Sequence, residues 1–208
     1  MTQRRHQPPT LTQLKKAHRV FAEMEARDLF YRVALGLVDR AFSGQSDLTV
    51  GESIAVLLAT WNRRFYLRGR RCDRCHVEMI DLAIRKRYQA FSVYRQRSLE
   101  SLTEADQPAI TAHFEYFESF LGRVGVAKCF HLLAPHFFPL WDTQIAAEYG
   151  VPLREVGRNA ARYCAFMWIV RADIERLGGR DAIEKAVGVP ALKALDEYAY
   201  SKFTTGWL

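Results

Sequence analysis

The sequence predicts an all-α protein, on three observations. Apolar residues recur at spacings of three and four along most of the 208 residues, which is the period of an α-helix. The apolar–polar alternation of a half-buried strand is nearly absent. Residues that start and stop helices punctuate the chain at intervals suited to about nine or ten helices. The apolar fraction of 49% is that of a folded domain rather than of a disordered chain.

The predicted organisation is a flexible N-terminal tail, residues 1–10, followed by one all-α domain, residues 11–208. A capping box at Thr49 and Glu52 starts the third helix. Pro152 suits the first turn of a long helix that reaches Leu177. The predicted helices begin at or near Leu11, Leu29, Thr49, Val77, Thr103, Gly125, Asp142, Pro152, Asp181 and Pro190.

The charge balance favours an anionic partner. The net charge is +7 and the pI about 9.4, which is typical of nucleic-acid binding before membrane binding. No stretch approaches the roughly 20 apolar residues of a membrane span. The N-terminus has arginines but no apolar run behind them, so a secretory signal is not expected. We therefore expect a cytoplasmic protein with no membrane partner.

Residues 107–133 are predicted to form a helix-hairpin-helix element. Glycines let a backbone turn tightly and approach a phosphate, and the helix that follows offers unpaired N–H groups to it. Gly122 and Gly125 flank Arg123 here. The predicted phosphate-binding residues of this element are Gly122, Arg123, Gly125, Val126 and Ala127, with Lys128 also at the start of the second helix.

The segment "VGVAKCFHLLAPHFFPLWD" resembles the helix-hairpin-helix DNA glycosylase superfamily, which includes endonuclease III and 8-oxoguanine DNA glycosylase. It is more similar still to uncharacterised bacterial proteins related to that fold. The resemblance implies that Lys128 is the nucleophile and Asp142 the catalytic carboxylate, with no cofactor. Lys128 stands one place later than the lysine of the family pattern, which is a shift of about 100° on a helix.

Arginines crowd the end of the third helix and the loop after it, interleaved with aromatic residues. Arginine binds phosphate bidentately and stacks on bases, so this density predicts a phosphate track on DNA. A solvated loop whose charges pair with nearby acids is the alternative. The predicted DNA-binding arginines are Arg63, Arg64, Arg68, Arg70 and Arg71.

A base that leaves the duplex needs an aromatic or apolar pocket. The predicted pocket residues are Trp61, Phe138, Trp141 and His131, with Phe137 and His136 as further candidates. The alternative places these side chains in the core, where aromatic residues are more often found.

Cys72, Cys75 and His76 spell C-x-x-C-H, the pattern of covalent haem attachment. That chemistry requires export from the cytoplasm, and no second Cys/His pair has the spacing of a zinc site. We therefore interpret both cysteines as ordinary thiols and expect no metal.

Three hypotheses follow from the sequence. The first is a DNA glycosylase or abasic-site lyase, and the second is a DNA-binding module with the same fold but no chemistry. The third is a helical protein-interaction domain.

Overall fold

The structure is a computed structural model that describes residues 6–67 and 73–208. Within these ranges the protein is helical and contains no strand, which confirms the predicted all-α class. The helices are α1 Leu11–Met24, α2 Asp28–Phe42, α3 Val50–Trp61, α4 Arg63–Leu67, α5 Arg74–Arg85, α6 Tyr88–Arg95, α7 Gln107–Leu133, α8 Thr143–Glu148, α9 Ala160–Arg176, α10 Arg180–Val187 and α11 Ala191–Ala199. A π-helical turn, Tyr200–Thr204, extends α11. None of the described helices is long and apolar enough to cross a membrane.

Helix α7 reverses direction at Gly122, its one residue with non-helical dihedral angles. The ring centroids of Phe117 and Phe130 lie 5.3 Å apart. In a straight helix, residues thirteen positions apart are separated by about 20 Å along the axis. The two halves of α7 therefore fold back on each other. The second half begins at Arg123. The sequence had predicted that Val126 would be at its start, three residues later.

The reversal depends on glycine, and Gly122→Ala is expected to destabilise the protein. The φ of Gly122 is +70°, and a Cβ there would lie 2.7 Å from Cε2 of Phe65. We expect the free energy of unfolding to fall by about 1–3 kcal/mol in denaturant titrations. Gly36→Ala is the control, because a Cβ at Gly36 meets nothing within 4 Å inside α2. If both variants are as stable as the wild type, the strain assigned to Gly122 is absent.

The second half of α7 forms the centre of the core. All residues from Gly125 to Leu133 are buried. Phe114, Phe130 and Phe138 pack as one aromatic cluster, and Trp141 joins it edge-on to Phe114. Helices α2, α3 and α9 pack around α7. This arrangement fixes the position of every side chain that α7 directs outward from the core.

One predicted helix boundary was wrong, and part of the predicted tail contacts the domain. In the tail, His6 stacks on Tyr149 at 3.9 Å and lies 2.6 Å from the buried Asp173. The predicted long helix starting at Pro152 begins instead at Ala160. The residues before it form a loop, because the Asn159 amide binds the carbonyl oxygens of residues 154 and 155 and removes them from a helical pattern.

Candidate active site

A cleft of about 810 Å³ opens beside the reversal of α7. Its walls come from the junction of α3 and α4, the second half of α7, the start of α8, and the C-terminal segment. We call it the Lys128 cleft. Its polar and aromatic lining residues are Phe21, Glu25, Arg27, Thr60, Trp61, Asn62, Arg63, Phe65, Arg123, Lys128, Trp141, Asp142, Thr143, Gln144, Asp196, Tyr200 and Thr204.

Lys128 reaches the cleft from the second half of α7, and its residue surface is only 9% exposed. Its ammonium group donates a hydrogen bond to the carbonyl oxygen of Trp61. Burial lowers the pKa of Lys128 to about 8, and the negative charges of Asp142 and Asp196 partly oppose that change. The amine is therefore far easier to deprotonate than an ordinary lysine.

Asp142 lies at the N-cap of α8 and also lines the cleft. Its Oδ1 accepts a hydrogen bond from the backbone N–H of Ile145 at 2.8 Å. Its Oδ2 accepts one from the hydroxyl of Thr204, also at 2.8 Å. These two bonds fix the position of the half-buried carboxylate. Asp142 and Lys128 both line the same cleft.

Asp196 is a third titratable group of the cleft, and the sequence analysis did not find it. It lies on α11, where the neighbouring Lys193 and Glu197 are also charged. Burial raises the pKa of Asp196 to about 7, and Lys193 and Lys128 partly oppose this. A charged triplet in a helix usually indicates a solvated face, so the sequence carried no signal that this face is buried.

A hydrogen-bonded network holds one wall of the cleft. Arg27 donates to Glu25 Oε2 at 2.5 Å and to the Tyr200 hydroxyl at 2.7 Å. The backbone carbonyl of Arg27 accepts from the Trp61 indole N–H at 3.0 Å. The network thereby positions Trp61, whose own carbonyl binds Lys128.

Of the predicted pocket residues, Trp61 and Trp141 line the cleft. Phe138 and His131 do not: both have 0% exposure and belong to the core. His131 lies 2.9 Å from the Tyr31 hydroxyl and 2.8 Å from the carbonyl oxygen of Phe138. Burial lowers the pKa of His131 to about 4, so it is a neutral core histidine.

The remaining two candidates also lie away from the cleft. Phe137 is fully buried. His136 lies 3.8 Å from Glu184 and borders a separate small cavity. Neither is placed to contact a base in the Lys128 cleft.

Arg63 and Arg123 are exposed and line the cleft. Arg64 belongs to α4, and its side chain is outside the described atoms, as are residues Arg68, Arg70 and Arg71 altogether. Arg74 is exposed and pairs with Glu78 at 2.8 Å.

Gly125, Val126 and Ala127 were predicted to bind a phosphate, but the structure does not expose them. All three residues are buried inside the second half of α7. A Cβ on Gly125 would lie 2.8 Å from the side-chain amide of Asn62, so this glycine serves close helix packing. Gly122 and Arg123 remain at the cleft surface.

The loop before α9 carries two exposed arginines that were not among the residues predicted from the sequence. Arg154 and Arg158 are exposed in this loop. Arg123 donates to the carbonyl oxygen of Arg154 at 2.9 Å, which ties the loop to the cleft. The buried Glu118 accepts from the Gly157 N–H at 3.0 Å and from the Asn159 amide at 2.5 Å. The loop is thus anchored at both ends.

The C-x-x-C-H pattern lies only partly within the structure. Cys72 falls outside the described residues, whereas Cys75 is exposed and His76 is buried with the Tyr66 hydroxyl 3.1 Å from its ring. Across residues 6–67 and 73–208, no three His, Cys, Asp or Glu side chains are grouped as metal ligands.

No protein-family model matches the chain, and comparisons with curated proteins and with solved structures give no significant match.

Proposed function

We propose that the protein binds DNA and acts on the sugar carbon C1′ of a nucleotide held in the Lys128 cleft, as a DNA glycosylase or an abasic-site lyase. The observation that carries this proposal is the placement of Lys128 and Asp142 in one cleft beside the α7 reversal. The helix-hairpin-helix resemblance of the sequence predicted the same pair.

The state of the Lys128 amine supports a covalent reaction. At pH 7, a lysine of pKa about 8 is neutral in roughly one molecule in ten, against roughly one in three thousand at the ordinary value. Only the neutral amine has a lone pair that attacks a carbon. Burial of Lys128 therefore raises the population of the reactive form by roughly a hundredfold or more.

Asp142 supplies the negative charge that such chemistry requires. Cleavage of an N-glycosidic bond builds positive charge on the sugar, and a fixed carboxylate stabilises that charge. The two hydrogen bonds from Ile145 and Thr204 hold the carboxylate in place before the reaction starts. Among the lining residues of the cleft, the acids Glu25, Asp142 and Asp196 are buried or half-buried, whereas Arg63 and Arg123 are exposed.

That distribution of charge suits DNA. Exposed arginines pair with phosphates, and the start of the second half of α7 presents the positive end of a helix dipole to the same surface. The cleft volume of about 810 Å³ lies in the range of small-molecule sites and has room for a nucleotide beside Trp61.

The experiment is borohydride trapping on duplex DNA with one abasic site. The aldehyde form of the abasic sugar and an amine form an imine and water, and borohydride reduces the imine to a stable secondary amine. We expect a covalent protein–DNA adduct that depends on borohydride. If neither an adduct nor base release appears across a panel of modified duplexes, the enzymatic proposal is wrong.

Substitution of the surface arginines tests the DNA interface separately. Arg63→Gln and Arg123→Gln are each expected to weaken binding several-fold and to lower the slope of log affinity against log salt by about 0.9, the loss of one phosphate contact. Fluorescence anisotropy at several salt concentrations measures both effects. Arg19→Gln is the charge-matched control, since Arg19 is exposed on α1 and does not line the cleft. Identical salt slopes for all three variants argue against this interface.

One observation favours a second candidate, a DNA-binding module without chemistry. The Lys128 ammonium already donates to the Trp61 carbonyl, which is a structural role in its own right. This candidate predicts salt-sensitive binding with no trapped adduct. If the protein does not bind DNA even at low salt, both candidates are wrong and the helical protein-interaction domain remains.

A further inference from the structure

Asp196 is a charged residue of the Lys128 cleft with no role in the proposed function. Its side chain borders the cleft on one side and a small cavity with apolar walls on the other. Leu140, Ile145 and Leu195 belong to those walls. Asp196 makes no side-chain hydrogen bond or ion pair with any residue of the described ranges. The carboxyl group is thus positioned by packing and available to a ligand or a proton in the cleft.

Four segments of the chain place charged groups around Asp196. Helix α7 contributes Lys128, the N-cap of α8 contributes Asp142, and α11 itself contributes Lys193 and Glu197. The segment between α1 and α2 places Glu25 and Arg27 on the same cleft. Glu25 and Arg27 neutralise each other, and Lys193 lies 2.9 Å from Asp28 and 3.5 Å from Glu197. Lys128 is therefore the cation of the cleft interior that no carboxylate pairs with directly in the described ranges.

We propose that Asp196 is the proton carrier of the Lys128 reaction, accepting a proton from the ammonium group and returning it to the oxygen that leaves as water. This inference rests on the proposed function and names a residue that neither the sequence nor the glycosylase resemblance indicated.

The steps balance without a further reagent. Lys128 and Asp196 share the cleft without a direct ion pair in the described ranges, so a water molecule in the cleft carries the proton between them. The Lys128 ammonium gives one proton to this water, which passes one proton to the Asp196 carboxylate, leaving a neutral amine and a carboxylic acid. The amine lone pair forms a C–N bond to C1′ of the aldehyde, and the adduct becomes a carbinolamine by proton transfer from nitrogen to oxygen. The C–O bond then breaks, the hydroxyl takes the proton from Asp196, and water departs. The products are a protonated imine, one water and the regenerated carboxylate.

The acidities of the two groups make this transfer accessible. With a pKa of about 8 for Lys128 and about 7 for Asp196, the transfer is unfavourable by only roughly tenfold. For ordinary lysine and aspartate side chains it is unfavourable by more than a millionfold. Burial in one cleft brings the two pKa values closer together, because burial disfavours the charged form of each group.

The test is the rate of adduct formation under enzyme excess between pH 5.5 and 9. Asp196→Asn is expected to slow trapping at pH 7 by roughly a hundredfold and to remove a step with an apparent pKa near 7. Asp196→Glu keeps a carboxyl group and is expected to restore most of the rate and the step. Asp181→Asn, an exposed aspartate of α10, is the charge-matched control and is expected to match the wild type.

Folding is checked by thermal unfolding at pH 8. The pKa of Asp196 is raised to about 7 in the folded state, so stability is lost as the pH rises from about 4 to 7 and the full cost is present at pH 8. Asp196→Asn removes this cost and is expected to unfold no earlier than the wild type. If the Asn variant and the wild type trap DNA at the same rate with the same pH profile, the role of Asp196 is wrong while the proposed function stands. If the wild type forms no adduct at any pH, both are overturned.

Discussion

Replacement of Lys128 by glutamine is expected to abolish the borohydride-trapped adduct on abasic DNA. Glutamine keeps an N–H donor for the Trp61 carbonyl but has no lone pair that forms an imine. We expect trapping to fall below detection, at least a thousandfold, while DNA affinity changes by no more than a few-fold. Denaturing gel electrophoresis of reduced reaction mixtures measures the adduct directly.

Lys16→Gln controls for the loss of a positive charge. Lys16 is exposed on α1 and does not line the cleft, so its variant is expected to trap DNA at the wild-type rate. Adduct formation by Lys128→Gln at a rate near that of Lys16→Gln contradicts the assignment of the nucleophile. Thermal unfolding of Lys128→Gln shows whether the adduct is lost only because the variant does not fold. We expect the variant to fold, because the substitution removes a buried charge.

Replacement of Asp142 by asparagine is expected to cause the second large loss of activity. Asparagine retains an oxygen that accepts from the Ile145 N–H, so the helix cap is largely preserved. It loses the negative charge that the proposed function assigns to stabilising the sugar. We expect single-turnover base release or adduct formation to fall by roughly 10²–10⁴-fold, with DNA affinity unchanged or slightly higher.

A matched aspartate separates capping from catalysis. Asp73 caps α5 as Asp142 caps α8, since it accepts from the His76 backbone N–H at 3.0 Å, and it lies outside the cleft. Asp73→Asn and Asp142→Asn are expected to lower stability by similar amounts, about 1 kcal/mol or less. Equal activity of the two variants means that Asp142 is only a helix cap.

The sequence predicted the helical class and the residues that punctuate it. The capping box of Thr49 and Glu52 starts α3 as expected. The glycine at 122 marks a true reversal of the chain, because the need for a positive φ is local and a glycine is its usual signature. Such features are encoded by neighbouring residues, so they are accessible without a structure.

The sequence also predicted that Lys128 and Asp142 belong to one site, but it misplaced residues around them. Val126 and Ala127 were expected at a helix start and are buried in mid-helix. Phe138 and His131 were expected in a pocket and lie in the core. Which face of a helix is covered depends on how distant helices pack, and a single sequence does not record it.

Asp196 illustrates the converse error. Its neighbours Lys193 and Glu197 made the face of α11 look solvated, yet Lys193 is 3% exposed and lies 4.1 Å from the centre of the Phe21 ring. Contacts between α11 and α1 bury that face and bring Asp196 to the cleft. These elements are far apart in the chain, so local patterns did not connect them.

The most direct test is to locate the adduct within the protein. Wild-type protein trapped with borohydride on abasic DNA is digested with nuclease and protease, and the modified peptide is sequenced by tandem mass spectrometry. The proposal predicts one modified residue, Lys128, carrying the reduced sugar. A modification at the N-terminal amine or at an exposed lysine such as Lys16, with Lys128 unmodified, contradicts it.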